Sequence, residues 1–353
     1  MNKKTFIIAE AWSNHNGSLY MAYKLIDAAK EAWADAVKFQ IFKADKLYPK
    51  NCGVIEHWWK KLDLYDFFKK SEVDYWWILK LKEYCDKKSI IFMATPFDEE
   101  SVDILEKENV SIYKIASMEH NHFPLLKKVA KTWKHIILSD WLATLWDIEK
   151  TIDTIKKEWN NNITVLHCVS AYPALENEYN LNFLWTIKNV LWVECWLSDH
   201  TINPERVPML SVANWWTVIE KHFTLDKNLP WADHFFALNP EELKLMIDKV
   251  REVEQLTISD KEKLKQKFPE IMWKYKKELQ ESEKPLFPWD KRYIFAIKDI
   301  KEGELFTNDN IRILRAERFL KPWLEPYYFD KIIWKKCKLN ISAFNSIQFD
   351  NII

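Results

Sequence analysis

Eight short apolar runs alternate with longer amphipathic segments between Lys4 and about Glu254, and nothing else in the 353-residue chain restricts its fold as strongly. The runs are Thr5–Ala11, Asp35–Ile41, Ile90–Thr95, Ile112–Ser117, His135–Ser139, Ile163–Val169, Val193–Ser198 and Thr217–Phe223, each of strand length. Between them lie helical patterns, among them Leu19–Ala32, Trp77–Lys88, Glu99–Glu108, Phe123–Lys131, Leu145–Glu158 and Pro204–Ala213. Eight strand–helix units predict an α/β fold of the (β/α)₈ type, a TIM barrel, over residues 1–256. A doubly wound sheet is the rival, but eight units and the lack of an early G-x-G-x-x-G count against it.

Two stretches stand apart from the repeat. Ala44–Lys70 is a long second strand-to-helix connection of the kind that forms lids or binding loops. Residues 257–284 are rich in Lys and Glu and read as a charged helical linker. Beyond Pro285 the pattern turns to short strands and turns, which places a second, smaller domain at 285–353.

Barrel enzymes carry their chemistry at the C-terminal ends of the strands. Here those ends hold Glu10, Lys38, Gln40, Thr95, Lys114, Ser117, Ser139, His167, Ser170, Ser198, Asp199, His200, Glu220, Lys221 and His222. Lys38 with Gln40, and Glu220 with His222, are two residues apart and share one face of their strands. A single charge on a buried strand is usually a satisfied core group. A set gathered at the same end of successive strands points instead to a site. His200 and His222 end adjacent strands and can hold a divalent cation between them. His167 reads equally well as a packed barrel histidine. His122 and His135 read as surface or loop residues, and His234 has no obvious partner.

Lys+Arg and Asp+Glu both number 52, so no overall field recruits nucleic acid or an anionic membrane. Five cysteines without a C-x-x-C pair predict reduced thiols. The N-terminal apolar run ends at Glu10, too short for a signal peptide, and a cytoplasmic protein is expected. One count is abnormal. There are 20 Trp and 3 Gly, where an average chain has about 7% Gly. Trp33, Trp215, Trp216, Trp231 and Trp334 sit at helix-to-strand or loop junctions that favour glycine, which alone adopts positive φ without strain. Most of these tryptophans therefore read as glycine positions, as if a stop codon recoded to glycine had been translated as Trp. Trp58-Trp59 and Trp76-Trp77 have helical context and read as genuine.

An ordered set of motifs then points to a family. Ile8-Ala9-Glu10-Ala11-Trp12-Ser13-Asn14-His15-Asn16-Gly17 resembles the A-E-x-G-x-N-H-N-G opening of the sialic acid synthases, the group that includes legionaminic and pseudaminic acid synthases. Ala36-Val37-Lys38-Phe39-Gln40, Ala94-Thr95-Pro96-Phe97-Asp98 and Tyr113-Lys114-Ile115-Ala116-Ser117 follow in family order. So do His167-Cys168-Val169-Ser170-Ala171-Tyr172-Pro173, Leu197-Ser198-Asp199-His200-Thr201 and Ile219-Glu220-Lys221-His222-Phe223. Lys298-Asp299-Ile300-Lys301-Glu302-Gly303-Glu304 resembles their small antifreeze-like (SAF, β-clip) domain. Trp12, Trp141, Trp196 and Trp231 replace glycines of the pattern and would crowd the active-site rim. Asp140 stands where threonine is common.

The resemblance implies condensation of phosphoenolpyruvate with the aldehyde of an N-acetylated amino sugar, such as N-acetylmannosamine, to give a nonulosonic acid and phosphate. It assigns Glu10, Lys38, Lys114, Glu119 and Glu220 to catalysis, the two glutamates 119 and 220 for proton handling. It assigns Gln40, Thr95, Ser117, Ser139, Ser170, Tyr172, Ser198, Asp233 and Arg315 (with Arg318 as the alternative) to substrate. His200 and His222 are implied ligands of a divalent metal, Mn²⁺ with Mg²⁺ or Co²⁺ as substitutes. A homodimer is expected in which each small domain covers the partner's barrel. Two other readings stay open: a class I aldolase with Lys38, Lys114 or Lys221 as Schiff base, and a non-catalytic sugar- or anion-binding barrel.

Overall fold

The computed structural model describes residues 4–57, 60–230, 233–287, 291–316, 320–321 and 323–353. Twelve strands occur among them: β1 Phe6–Trp12, β2 Ala36–Ile41, β3 Val54–His57, β4 Lys60–Asp63, β5 Ile91–Pro96, β6 Ile112–Ile115, β7 His135–Ser139, β8 Ile163–His167, β9 Glu194–Asp199, β10 Val218–His222, β11 Arg292–Ala296 and β12 Ile311–Arg315. Eight of them close a barrel in the order β1-β10-β9-β8-β7-β6-β5-β2. Every barrel pair is parallel. The eight correspond to the eight apolar runs, with ends displaced by a residue or two.

Helices join the strands and seal the outer face. Ser18, Asp98 and Thr144 cap the helices Leu19–Glu31, Glu99–Lys107 and Leu145–Lys156 through their side chains, which satisfies amide groups at the helix starts. The outer core is a continuous cluster that includes Leu25, Ile78, Leu126, Ile152, Ile187 and Ile247. A second cluster of Ile8, Ala36, Met93, Ile137, Leu166 and Val218 fills the lower lumen. The barrel is thus solid below and polar above, which leaves its upper end for the site.

The long connection after β2 contains the β3–β4 hairpin and the helix Leu64–Ser71. Between the barrel and the small domain the chain is helical only in part, at Ile258–Gln266 and Pro269–Met272. From Trp273 to Phe287 it carries no helix and lies against the barrel, so the expectation of a helical linker fails for its second half. The small domain has its own core, including Ile294, Phe306, Ile313 and Cys337, around the antiparallel pair β11–β12.

Among the described residues, seven tryptophans adopt positive φ: Trp12, Trp33, Trp133, Trp159, Trp192, Trp215 and Trp334. Five of them, Trp33, Trp133, Trp159, Trp192 and Trp215, lie between the end of a helix and the start of the next barrel strand, with 68%, 72%, 85%, 87% and 42% of their surface exposed. Trp33, at φ 71, meets the expectation. Trp216 does not: it has no positive φ, is buried, and its ring packs 4.7 Å from that of Trp185, while its neighbour Trp215 takes the turn. Trp231, Trp58 and Trp59 lie outside the described residues.

Candidate active site

A cavity of 210 Å³ opens at the upper end of the barrel. Strand alternation points every second residue inward, which brings Lys38 and Gln40 from β2, Thr95 from β5, Lys114 from β6, Ser139 from β7, Ser198 from β9, and Glu220 with His222 from β10 onto its wall. His200, Tyr172, Asp233 and Arg315 complete the polar lining. Phe42, Tyr48, Phe68 and Phe97 add an apolar wall, to which the long connection contributes. Met118 and Cys168 also line the cavity; Cys168 lay in plain view between His167 and Ser170, whereas Met118 carried no sequence signal.

Two lysines and two glutamates form one buried network in the lumen. Lys38 pairs with Glu10, lies 3.6 Å from Glu220 and donates to Thr95 Oγ1 at 3.3 Å. Lys114 donates to both oxygens of Glu220, at 2.8 and 3.0 Å. Ser198 Oγ donates to Glu220 at 3.2 Å. Burial opposes both ammonium groups. For Lys38 the carboxylates of Glu10 and Glu220 outweigh it and the pKa rises. For Lys114 burial wins, because its carboxylate is shared with Lys38, and the pKa falls. Lys114 is therefore the less compensated cation, the state that favours an incoming anion. Glu220 is held below the usual carboxylate range: burial opposes ionisation, but Lys114 and Lys38 prevail.

The histidine pair sits beside this network. The rings of His200 and His222 lie 5.3 Å apart, edge to face. His200 Nδ1 is 2.7 Å from the Val169 carbonyl, to which it donates, which leaves Nε2 as the acceptor nitrogen, 3.5 Å from Ser198 Oγ. His222 Nδ1 faces Asp233 at 3.2 Å. Burial lowers the two pKa values to about 3 and about 4, so both rings are neutral, the form that ligates metal. The donor set thus fits a divalent cation with open positions. No group of three His, Cys, Asp or Glu suited to a metal occurs among the described residues, so its other ligands would be water and substrate oxygens. The Tyr172 ring stacks on His200 at 4.5 Å.

Several expected positions fall differently. Glu10, Ser117, Ser170 and Glu119 are buried but do not line the cavity. Glu10 backs Lys38 and accepts the Trp12 amide at 3.0 Å. Ser117 Oγ accepts the Trp141 amide at 3.0 Å. Glu119 is not placed for proton transfer: it accepts from Arg292 at 2.7 Å and from Arg315 at 2.7 and 2.9 Å. Against the cost of burial, these two guanidinium groups hold its carboxyl well below the usual range. His122, read as a surface or loop residue, does lie in the loop before the helix Phe123–Ala130, but it is buried there, 3.3 Å from Glu119. His167 is a packed barrel histidine, with Nε2 donating to the Tyr179 carbonyl at 2.7 Å and Nδ1 against Asp140. His234 has partners after all in Thr224 and Asn16, at 2.6 and 2.9 Å. Lys221 points away from the cavity into Asp199 and Thr201, which removes it as a Schiff-base candidate.

Arg315 reaches the cavity of its own chain, with its guanidinium 4.9 Å from the centre of the Phe97 ring. Exchange of small domains between copies is not needed to bring it there. Arg292 anchors the same domain by donating to the carbonyls of Lys46, Phe97 and Ile313. Arg318 lies outside the described residues. Trp12 and Trp141 line the cavity as expected, but Trp196 packs in the lower lumen against the cluster around Leu166.

Residues 25–263 match the model of the NeuB family. The chain belongs to that family. It is 40% identical over 353 residues to the spore coat polysaccharide biosynthesis protein SpsE of Bacillus subtilis, covering 99% of this chain and 93% of that one. It is 36% identical to the N,N'-diacetyllegionaminic acid synthase of Campylobacter jejuni, covering 95% and 98%. The crystal structure of the B. subtilis SpsE superposes with a TM-score of 0.82 at 37% identity, covering 100% of this chain and 96% of that one.

Proposed function

We propose that this chain condenses phosphoenolpyruvate with the open-chain aldehyde of an N-acetylated amino sugar and water, giving a nonulosonic acid and phosphate. The observation that carries the reading is the under-compensated Lys114 ammonium beside a neutral histidine pair in one cavity. The names of relatives, among them the C. jejuni legionaminic acid synthase, support the product class. In the reaction C3 of phosphoenolpyruvate bonds to the aldehyde carbon, water adds to C2, and phosphate leaves from C2.

Lys38 and Lys114, with Thr95, Ser139 and Ser198, bind the phosphate and carboxylate of phosphoenolpyruvate. As the trianion enters, Lys114 exchanges part of its interaction with Glu220 for the ligand. Gln40, Tyr172, Asp233 and Arg315 orient the sugar, and Glu220 is placed to hold a proton at the reacting carbons. A divalent cation on His200 and His222, with Mn²⁺ the expected ion, would supply Lewis acidity at the aldehyde oxygen. The apolar wall of Phe42, Phe68 and Phe97 bounds one side of the cavity, and orientation of the two substrates in that one volume contributes much of the rate. We place the enzyme in the cytoplasm and propose a homodimer in which the contacts of Arg315 and Arg292 with Glu119 can also form between copies.

Phosphate release with phosphoenolpyruvate and a panel of N-acetylated hexosamines, with products read by mass, tests the reading. Turnover with one member and its loss in chelator are expected; phosphate release with none of them would refute it. The lowered pKa of Lys114 also favours a Schiff-base aldolase as the second reading. Borohydride trapping of substrate on Lys114 would decide for that one.

A further inference from the structure

The segment between the barrel and the small domain brings a half-buried lysine and a buried glutamate against the loops that wall the cavity. Lys277 Nζ donates to the main-chain carbonyl of Asp140 at 3.1 Å and lies 3.3 Å from its carboxylate. Asp140 is itself fully buried and accepts the Cys168 amide at 3.0 Å, so it ties the end of β7 to the end of β8. Glu283, also buried, accepts the Ser170 amide at 2.9 Å and the Gln280 amide at 3.0 Å. Main-chain bonds from Leu181 and Asn182 to Ile271 and Met272 fasten the start of the segment.

The placement of the anchored residues gives these contacts meaning. Asp140 lies between Ser139 and Trp141, and Ser170 between Cys168 and Tyr172; all four flanking residues line the cavity. An exposed linker needs no buried charges, and burying them is costly unless each is paired. Here each meets a fixed partner on a different strand end. The same segment leads on to Arg292 and Arg315.

We infer that Lys277 and Glu283 are positioning residues, and that residues 271–283 act as a strap that sets the Ser139 and Cys168 side of the anion-binding wall. The inference rests on the synthase reading for its kinetic consequence. The strap itself does not touch substrate; it fixes the loops that do.

The test compares K277M, K277R and E283Q in the full-length protein. K277M should raise the KM for phosphoenolpyruvate at least tenfold and leave the KM for the amino sugar within about twofold. K277R should recover most of that loss, and E283Q should shift the same KM in the same direction. Hydrogen exchange in the absence of substrate should quicken at residues 139–143 and 168–172 in K277M. An unchanged KM for phosphoenolpyruvate, an equal rise in both KM values, or unaltered exchange would overturn the strap. If K277M does not fold, E283Q carries the same readings. Exchange needs no turnover, so an inactive wild type would refute the synthase reading and leave this test standing.

Discussion

Two neighbouring residues of β10, Glu220 and Lys221, enter two different lysine–carboxylate clusters. Inside the barrel, Glu220 joins Lys114 and Lys38; outside it, Lys221 joins Asp199. The outer cluster is complete: Lys221 donates to the Asp199 carboxylate at 2.6 Å and to the Thr201 carbonyl and hydroxyl at 2.5 and 3.2 Å. The inner cluster is not, since Lys114 donates only to a carboxylate that Lys38 shares, among the described residues. Both are buried and use the same chemistry. An unfinished set of partners beside open volume, not a buried charge as such, marks a binding site.

The comparison can be pressed hardest at its edge, where His222 shares the inner face with Glu220. His222→Ala or His200→Ala should reduce turnover by about three orders of magnitude or more and abolish Mn²⁺ binding by calorimetry, with the fold intact. Wild-type Mn²⁺ affinity in either variant would end the metal assignment. The next test separates the two clusters directly. Lys221→Met should cost about 3–5 kcal/mol of stability, because the buried Asp199 carboxylate loses its cation and keeps only the Thr201 amide and hydroxyl, and adding Asp199→Leu should recover most of it. Lys114→Met should instead lower kcat/KM by about two to three orders of magnitude, since it removes a positioned charge on the reacting substrate. Adding Glu220→Gln should then restore stability but not activity. Equal rescue of both clusters by the paired changes would erase the distinction.

Tryptophan offers a milder version of the same contrast, one residue type in two settings. Replacing Trp33, Trp159 or Trp192 by glycine should stabilise the protein by about 1–3 kcal/mol each, because a bulky residue at positive φ is strained. Trp216→Gly should destabilise it, since that ring is buried at an ordinary φ. Melting curves decide. We propose that glycine occupies the seven positive-φ positions in the natural protein, and peptide mass spectrometry of it should find glycine there. The smallest effect is expected at Arg315. Arg315→Lys keeps the charge but loses the planar fork, and should raise the KM for the amino sugar about tenfold, or about 1.4 kcal/mol.

The barrel was legible because its strands are local. Each run from Thr5–Ala11 to Thr217–Phe223 carries its own apolar pattern, and the polar residues at strand ends follow from alternation. His200 and His222 were legible for the same reason. Glu119 was not. Its partners Arg292 and Arg315 lie more than 170 residues away, and only the path of the chain through the small domain brings them together. The strap was hidden likewise: Lys277 and Glu283 look like solvated charges in a Lys/Glu-rich stretch, and no periodicity reveals that Asp140 and the Ser170 amide wait for them. Trp215 and Trp216 show the limit of turn reading: both read as glycine positions at one junction, and only Trp215 takes the positive φ.

The five tryptophans that follow helix ends share one more property. A turn from helix to strand always falls at the end of the barrel away from the cavity, so these exposed rings form a crown on the far side from the chemistry. An oily crown of that kind is a colloidal hazard, because like faces can meet base to base without closing the mouth of either copy. A preparation with indoles there should turn cloudy as it is concentrated while each dissolved molecule keeps its rate. One with glycine there should stay clear. The handling of the sample, and not its catalysis, is where those five positions would first be noticed.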